Sequence, residues 1–262
     1  MRRLPLALAP LLALSSPASA RIDDSVFSSL AFRQHPGTQL PLATPLIDEA
    51  GKPVRLGEMI AGRPTLLVLE YLRCRNLCSL VLGGTISSLK QAQLAPGRDF
   101  NLVAISIDPR DTTADAAMAE ARYAQPFGNS ASTGSGFHFL TGSSADVARI
   151  AGAVGFPYRF DRPSDQYLHP AGFVVLTPAG RISRYILGIN PDPKELASAI
   201  AEASEGSVEP AQHPLLLLCF GYDPDEGTAA ALAMRLVRWA TAAVVLGSVA
   251  LIAFLSLRRR TV

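Results

Sequence analysis

From residue 63 onward the chain alternates between solid apolar runs and stretches in which apolar residues recur at helical spacing. RPTLLVLEY (63–71) is a short apolar run entered through Pro64 and predicts a buried strand, while SLVLGGTISSLKQAQ (79–93) keeps a helical spacing despite Gly83 and Gly84. DFNLVAISID (99–108) predicts a second buried strand. DTTADAAMAEARYAQ (111–125), with Asp or Thr to cap it and an alanine-rich body, predicts a crossover helix. A short strand in FHFLTG (137–142), a serine-capped helix in SSADVARIAGAVGF (143–156), a strand, Pro-Ala-Gly turn and strand in AGFVVLTPAGRISRYILG (171–188) and a helix in PDPKELASAIAEASEG (191–206) complete the series. Strands separated by helices early and a hairpin late predict an α/β fold, with a mixed sheet covered by helices on both faces. GNSASTGSG (128–136) is a low-complexity stretch with the composition of a flexible surface loop.

The two ends break this pattern. MRRLPLALAPLLALSSPASA (1–20) has two arginines, an apolar stretch and a small-residue close at Ala18–Ser19–Ala20, which predicts a secretory signal peptide cut before Arg21. WATAAVVLGSVALIAFLSL (239–257) is an uncharged apolar stretch long enough to cross a bilayer as a C-terminal transmembrane helix. Arg258, Arg259 and Arg260 follow it directly and mark a cytoplasmic tail of residues 258–262, although Arg235 and Arg238 on the other flank weaken that cue. Export signal and tail arginines agree on one topology: a domain outside the cytoplasmic (inner) membrane, in the periplasm of a bacterium, held by one C-terminal span. The expected organisation is then an N-terminal segment (21–37), the folded domain (38–204) and a juxtamembrane segment (205–238) before the span.

With 262 residues and 48% hydrophobic composition the chain can bury one full-sized core. Losing Arg2 and Arg3 with the signal leaves 22 of the 24 basic residues against 22 acidic ones, and the three tail arginines reduce the exported part to 19 basic residues. A neutral to slightly acidic exported domain excludes nucleic acid and an anionic membrane surface as electrostatic partners.

Within this frame the chemistry gathers at YLRCRNLCSL, where Cys74 ends a strand and Cys78 falls on the first turn of the next helix. Residues four apart share a helix face, so both sulfurs can address one point. The helix N-terminus favours thiolate over thiol, and Arg73 and Arg75 are expected to add positive charge beside them. A disulfide, a redox couple and a metal chelate all remain open. A disulfide closing so short a loop would restrict the unfolded chain little, and a thiol-disulfide oxidoreductase ordinarily has two residues between its cysteines rather than three.

Among the histidines, His35 lies in the N-terminal segment, His138 alternates with Phe137 and Phe139 in a strand, and His213 precedes an apolar run. His169, in DQYLHPAGFVVL, stands at the entrance to a strand beside Pro170. Ligands in sheets wound this way collect at the loops around the end of the central strand, here the one that carries Cys74. Cys219, in PLLLLCFGY, reads most simply as a small hydrophobe, buried or at the membrane interface, with an intermolecular thiol as the alternative, and Asp108 of SIDP reads as a cap on the turn after a strand.

In order and spacing, YLRCRNLCSLVLGGTISSLKQ, AISIDPRDT, FHFLTG and HPAGFVVLTPAGRISRYILG resemble the Sco/SenC family of membrane-tethered copper proteins, over roughly residues 38–204. The C-terminal extension and span look like a bacterial branch of it. The resemblance implies a thioredoxin-like fold and a copper site, Cu(I)/Cu(II), formed by Cys74, Cys78 and His169. It also implies delivery of copper, or of reducing equivalents, to the copper-accepting subunit of a respiratory cytochrome oxidase during assembly. Other copper chaperones or thiol reductants are the further partners it allows. The alternative on the same cysteines is a membrane-anchored thiol-disulfide oxidoreductase acting on a partner's cysteines. Two departures stand out: Arg75 where many members have proline after the first cysteine, and Leu168 where they have aspartate before the histidine. The second removes an axial oxygen ligand from that neighbour.

The topology is checked by reporter fusion. A periplasm-active reporter joined near residue 225 is expected to be active and one joined after Val262 inactive. The reverse pattern would overturn the orientation.

Overall fold

A computed structural model describes residues 30–60, 62–73, 77–130, 136–163, 165–211, Trp239–Thr241, Val244, Gly247 and Ser248; for 77–79, 129 and 130 it describes the backbone alone. The predicted signal peptide, Cys74, His213, Cys219, most of the predicted span and the tail arginines lie outside the described residues. No helix among the described residues is long and apolar enough to cross a membrane.

The domain opens with a small antiparallel ribbon, β1 (Pro45–Ile47) and β2 (Pro53–Arg55), and a short helix α1 (Leu56–Ile60). Then β3 (Thr65–Glu70), α2 (Leu77–Gln91), β4 (Asn101–Ser106), α3 (Thr113–Ala124), a 3-10 segment (Gln125–Ser130), β5 (Phe137–Leu140) and α4 (Ser144–Val154) follow in turn. A second ribbon, β6 (Arg159–Asp161) and β7 (Gln166–Leu168), precedes β8 (Gly172–Leu176), β9 (Ile182–Leu187) and α5 (Pro193–Ser204). The main sheet has the order β5-β4-β3-β8-β9. β3 pairs in parallel with β4 and antiparallel with β8, so the sheet is mixed, as the order of runs predicts.

Every residue of β3, β4 and β8 is buried, which is why these strands read as unbroken apolar runs instead of alternating ones. Alternation survives in where the side chains go. Leu66 and Val68 join the layer formed with Leu82, Leu89, Leu196 and Ile200 of α2 and α5. Leu67 and Leu69 join the opposite layer with Leu56, Ile60, Val147 and Ile150 of α1 and α4. Local signals set the helix starts. Thr112 and Asp115 form a reciprocal capping box on α3, Ser143 caps α4, and Asp192 caps α5 with Pro193 at its first position.

Neither short ribbon is foreseen by the apolar pattern. Each has three-residue strands carrying polar or partly exposed residues, too short for a period of two to register.

The two glycines of α2 are chemically alike and structurally opposite. A Cβ on Gly84 would lie 2.1 Å from the Ile189 carbonyl oxygen, whereas one on Gly83 would meet nothing within 4 Å. Gly84 therefore lets α2 press against the loop between β9 and α5, where Ser88, one turn later, donates to the Pro191 carbonyl at 2.6 Å. Gly84→Ala is expected to cost about 1–3 kcal/mol through overpacking. Gly83→Ala should instead stabilise by up to about 1 kcal/mol, because alanine is the better helix former. Urea denaturation of the two variants checks the opposite signs.

Candidate metal centre

The antiparallel register sets Leu67 opposite Val174 and Thr65 opposite Leu176, so the start of β8 lies beside the end of β3. At that shared edge the chain leaves β3 at Glu70 and runs through Tyr71, Leu72 and Arg73 toward Cys74. Cys78 belongs to the first turn of α2, as its spacing predicts. The sulfur positions of both cysteines fall outside what the structure describes.

His169 is placed between β7 and β8, and its ring meets Tyr71 edge-on at 6.0 Å between centroids and Phe156 at 5.5 Å. Tyr71 is three residues ahead of Cys74, so the fold brings the predicted histidine to the strand end that leads into the first predicted cysteine. His169 Nδ1 lies 3.0 Å from the Pro170 carbonyl oxygen. A carbonyl can only accept, so Nδ1 carries the proton in the neutral ring, and Nε2 keeps the lone pair a metal requires. Burial pushes the imidazole below its ordinary value of 6.5, an effect the Pro170 contact only partly offsets. A neutral nitrogen donor at neutral pH fits a metal ligand.

The other described histidines go elsewhere. His138 sits in β5, with Nδ1 3.9 Å from Glu49. The backbone N–H of His35 donates to the Tyr185 hydroxyl at 2.9 Å. No group of three potential metal ligands occurs among the described residues, and His169 is the member of the predicted triad whose side chain is among them.

Arg75 lies outside the described residues, and Arg73, expected to lend charge to the cysteines, is engaged by carboxylates. Its Nε donates to Asp111 Oδ1 at 2.8 Å and its Nη2 stands 3.6 Å from Asp108 Oδ2, so two carboxylates already offset its charge. Asp111 Oδ2 also accepts from the Leu72 N–H at 2.7 Å and the Ser106 hydroxyl at 2.6 Å. Arg73 and Asp111 thus act as an anchor for the segment entering Cys74. Asp108 caps its turn as expected, accepting from the Arg110 N–H at 2.9 Å. It does more: burial raises its pKa, but hydrogen bonds from Arg110 and the charges of Arg110 and Arg73 outweigh this and hold the carboxyl below its ordinary range. Residue spacing hints at the cap and puts Arg110 two residues from Asp108; the approach of Arg73 depends on loops that sequence alone does not bring together.

The model of the SCO1/SenC family matches residues 42–205. Among solved structures, a protein from Aquifex aeolicus VF5 with a suggested role in electron transfer is 26% identical, with a TM-score of 0.57, over 68% of this chain and 98% of that one. A second Aquifex aeolicus VF5 protein, with a suggested role in electron transport, is 28% identical, with a TM-score of 0.53, over 64% and 98%. The copper-bound ScoI of Arabidopsis thaliana is 20% identical, with a TM-score of 0.51, over 66% and 98%, a likeness of fold. Among curated proteins none matches.

The His169 environment carries a pH signature in the metal-free protein. Its value is lowered by folding, so the unfolded chain takes up a proton first as pH falls. The stability from this group is complete above pH 6.5 and is lost as pH drops through the folded value. Between about pH 7 and about pH 5, wild type is expected to lose urea stability relative to His169→Gln, which has no such proton. Parallel curves would show that the imidazole is not withdrawn from water.

Proposed function

The chain belongs to the SCO1/SenC family, and from that footing we propose that it is a membrane-tethered copper carrier for respiratory oxidase assembly. Cys74, Cys78 and His169 take up a copper ion on the periplasmic side. They hand it, or reducing equivalents, to the copper-accepting subunit of a cytochrome oxidase. The observation that carries this reading is the placement of His169 against Tyr71, at the end of the strand that leads into Cys74, with Cys78 opening the next helix.

The donor set suits the cargo. Two thiolates are soft ligands for Cu(I), and a neutral imidazole added to them lets the same site accept Cu(II). Tyr71 and Phe156 cover the imidazole and orient it, and the Pro170 carbonyl holds the proton on Nδ1. Leu168 brings no side-chain oxygen beside His169, so the Cu(II) form relies on the three named residues more heavily than in relatives with aspartate there. The apolar stretch 239–257 supports a tether that keeps the domain at the membrane face, where an oxidase subunit is reached without free diffusion. A second reading, in which Cys74 and Cys78 reduce a partner's cysteines, is favoured by the likeness to the Aquifex protein with a suggested electron-transfer role.

Metal retention separates the two readings. The purified full chain is expected to hold one Cu(I) under reducing conditions and to lose tight binding in Cys74→Ser and in Cys78→Ser. His169→Ala should spare Cu(I) and weaken Cu(II). Wild-type affinity in either cysteine variant would sink the copper reading and leave the reductase.

A further inference from the structure

The ribbon that delivers His169 has little backbone to hold it. β6 and β7 are three residues each and pair with one another, outside the five-stranded sheet. A two-stranded ribbon of that length has scant stability alone. Part of its support is aromatic: Tyr167 packs on Tyr71 at 5.9 Å, on Tyr158 at 6.1 Å and on Phe160 at 5.2 Å. Ring contacts of this kind constrain direction less than charged hydrogen bonds do.

Arg110 supplies what the rings lack. Its Nε and Nη2 donate at 2.9 Å to Oδ1 and Oδ2 of Asp108, which is buried, and its Nη1 donates to Asp165 Oδ1 at 2.9 Å. The guanidinium carbon also stands 4.9 Å from the centroid of the Phe160 ring. A guanidinium held by two parallel bonds has one orientation, and a third bond from it inherits that orientation. Asp165 lies in the turn joining β6 to β7, with a φ of 51° that side chains other than glycine seldom adopt. The inner end is equally fixed, because the Asp108 N–H donates to the Ser106 hydroxyl at 3.1 Å and that hydroxyl donates to Asp111.

We infer that Arg110 is a positioning residue: the Asp108–Arg110–Asp165 clasp sets the β6–β7 ribbon, and through it His169, at a fixed place relative to the Asp111-anchored segment that enters Cys74. Exposed ion pairs add little to global stability. Arg110 and Asp165 are exposed, at 46% and 76% of their side-chain surface, so the clasp serves geometry more than folding. One short loop, residues 108–111, then holds both arms of the site.

The test uses the full chain with Arg110→Met, which keeps the stem and removes the fork, and Asp165→Ala, an exposed change that removes the acceptor and leaves the Asp108–Arg110 pair intact. In the metal-free protein, hydrogen exchange across 159–168 should quicken about tenfold in both variants while β4 and β8 stay protected. The second readout rests on the copper reading. Arg110→Met should weaken Cu(II) binding about tenfold and alter its electron paramagnetic resonance spectrum, leaving Cu(I) binding unchanged. Wild-type exchange in both variants would overturn the inference, as would a loosened ribbon with an unaltered Cu(II) spectrum when His169→Ala abolishes that spectrum. If His169→Ala itself leaves Cu(II) binding unchanged, the role of His169 falls, and the exchange measurement alone decides the clasp.

Discussion

β3 is buried on both faces and paired on both edges, parallel to β4 on one side and antiparallel to β8 on the other. Each consequence for the site follows from that mixed pairing. Were β8 parallel to β3, its entrance and the residues before it would lie at the far end of the sheet from Cys74. Antiparallel pairing turns the chain back, so the end of one strand and the start of the other share an edge. The two helical layers then make the arrangement stiff, because neither face of β3 has solvent into which it could relax.

On this rigid edge the protein places polar groups whose partners are already chosen. Asp108 and Asp111 are buried carboxylates, and buried charge is tolerated where hydrogen bonds and opposite charge are supplied. Arg73 and Arg110 supply them, and no buried side-chain polar atom among the described residues lacks a partner. Arg73, just before the first cysteine, therefore tethers the chain.

Much of the fold is legible along the chain. Apolar runs mark β3, β4 and β8 because doubly covered strands need no polar face. Thr112, Ser143 and Asp192 mark helix starts because a cap satisfies N–H groups within three residues of itself. The short ribbons escape such reading. The second of them leads into His169, and its trace is Phe160, Tyr167, Asp165 and Arg110 meeting in space.

The cysteine spacing, the strand before it, the helix after it and the histidine at a strand entrance are all local properties, set within a few residues by periodicity and capping. Which way β8 runs past β3, which rings enclose His169, and that Arg73 meets Asp111 and Arg110 meets Asp165, came from the tertiary fold. Those contacts join residues such as Arg73 with Asp111, 38 apart, and Arg110 with Asp165, 55 apart. An ion pair at such separation leaves no periodic trace in a sequence, because its members need only meet after the strands between them have been packed.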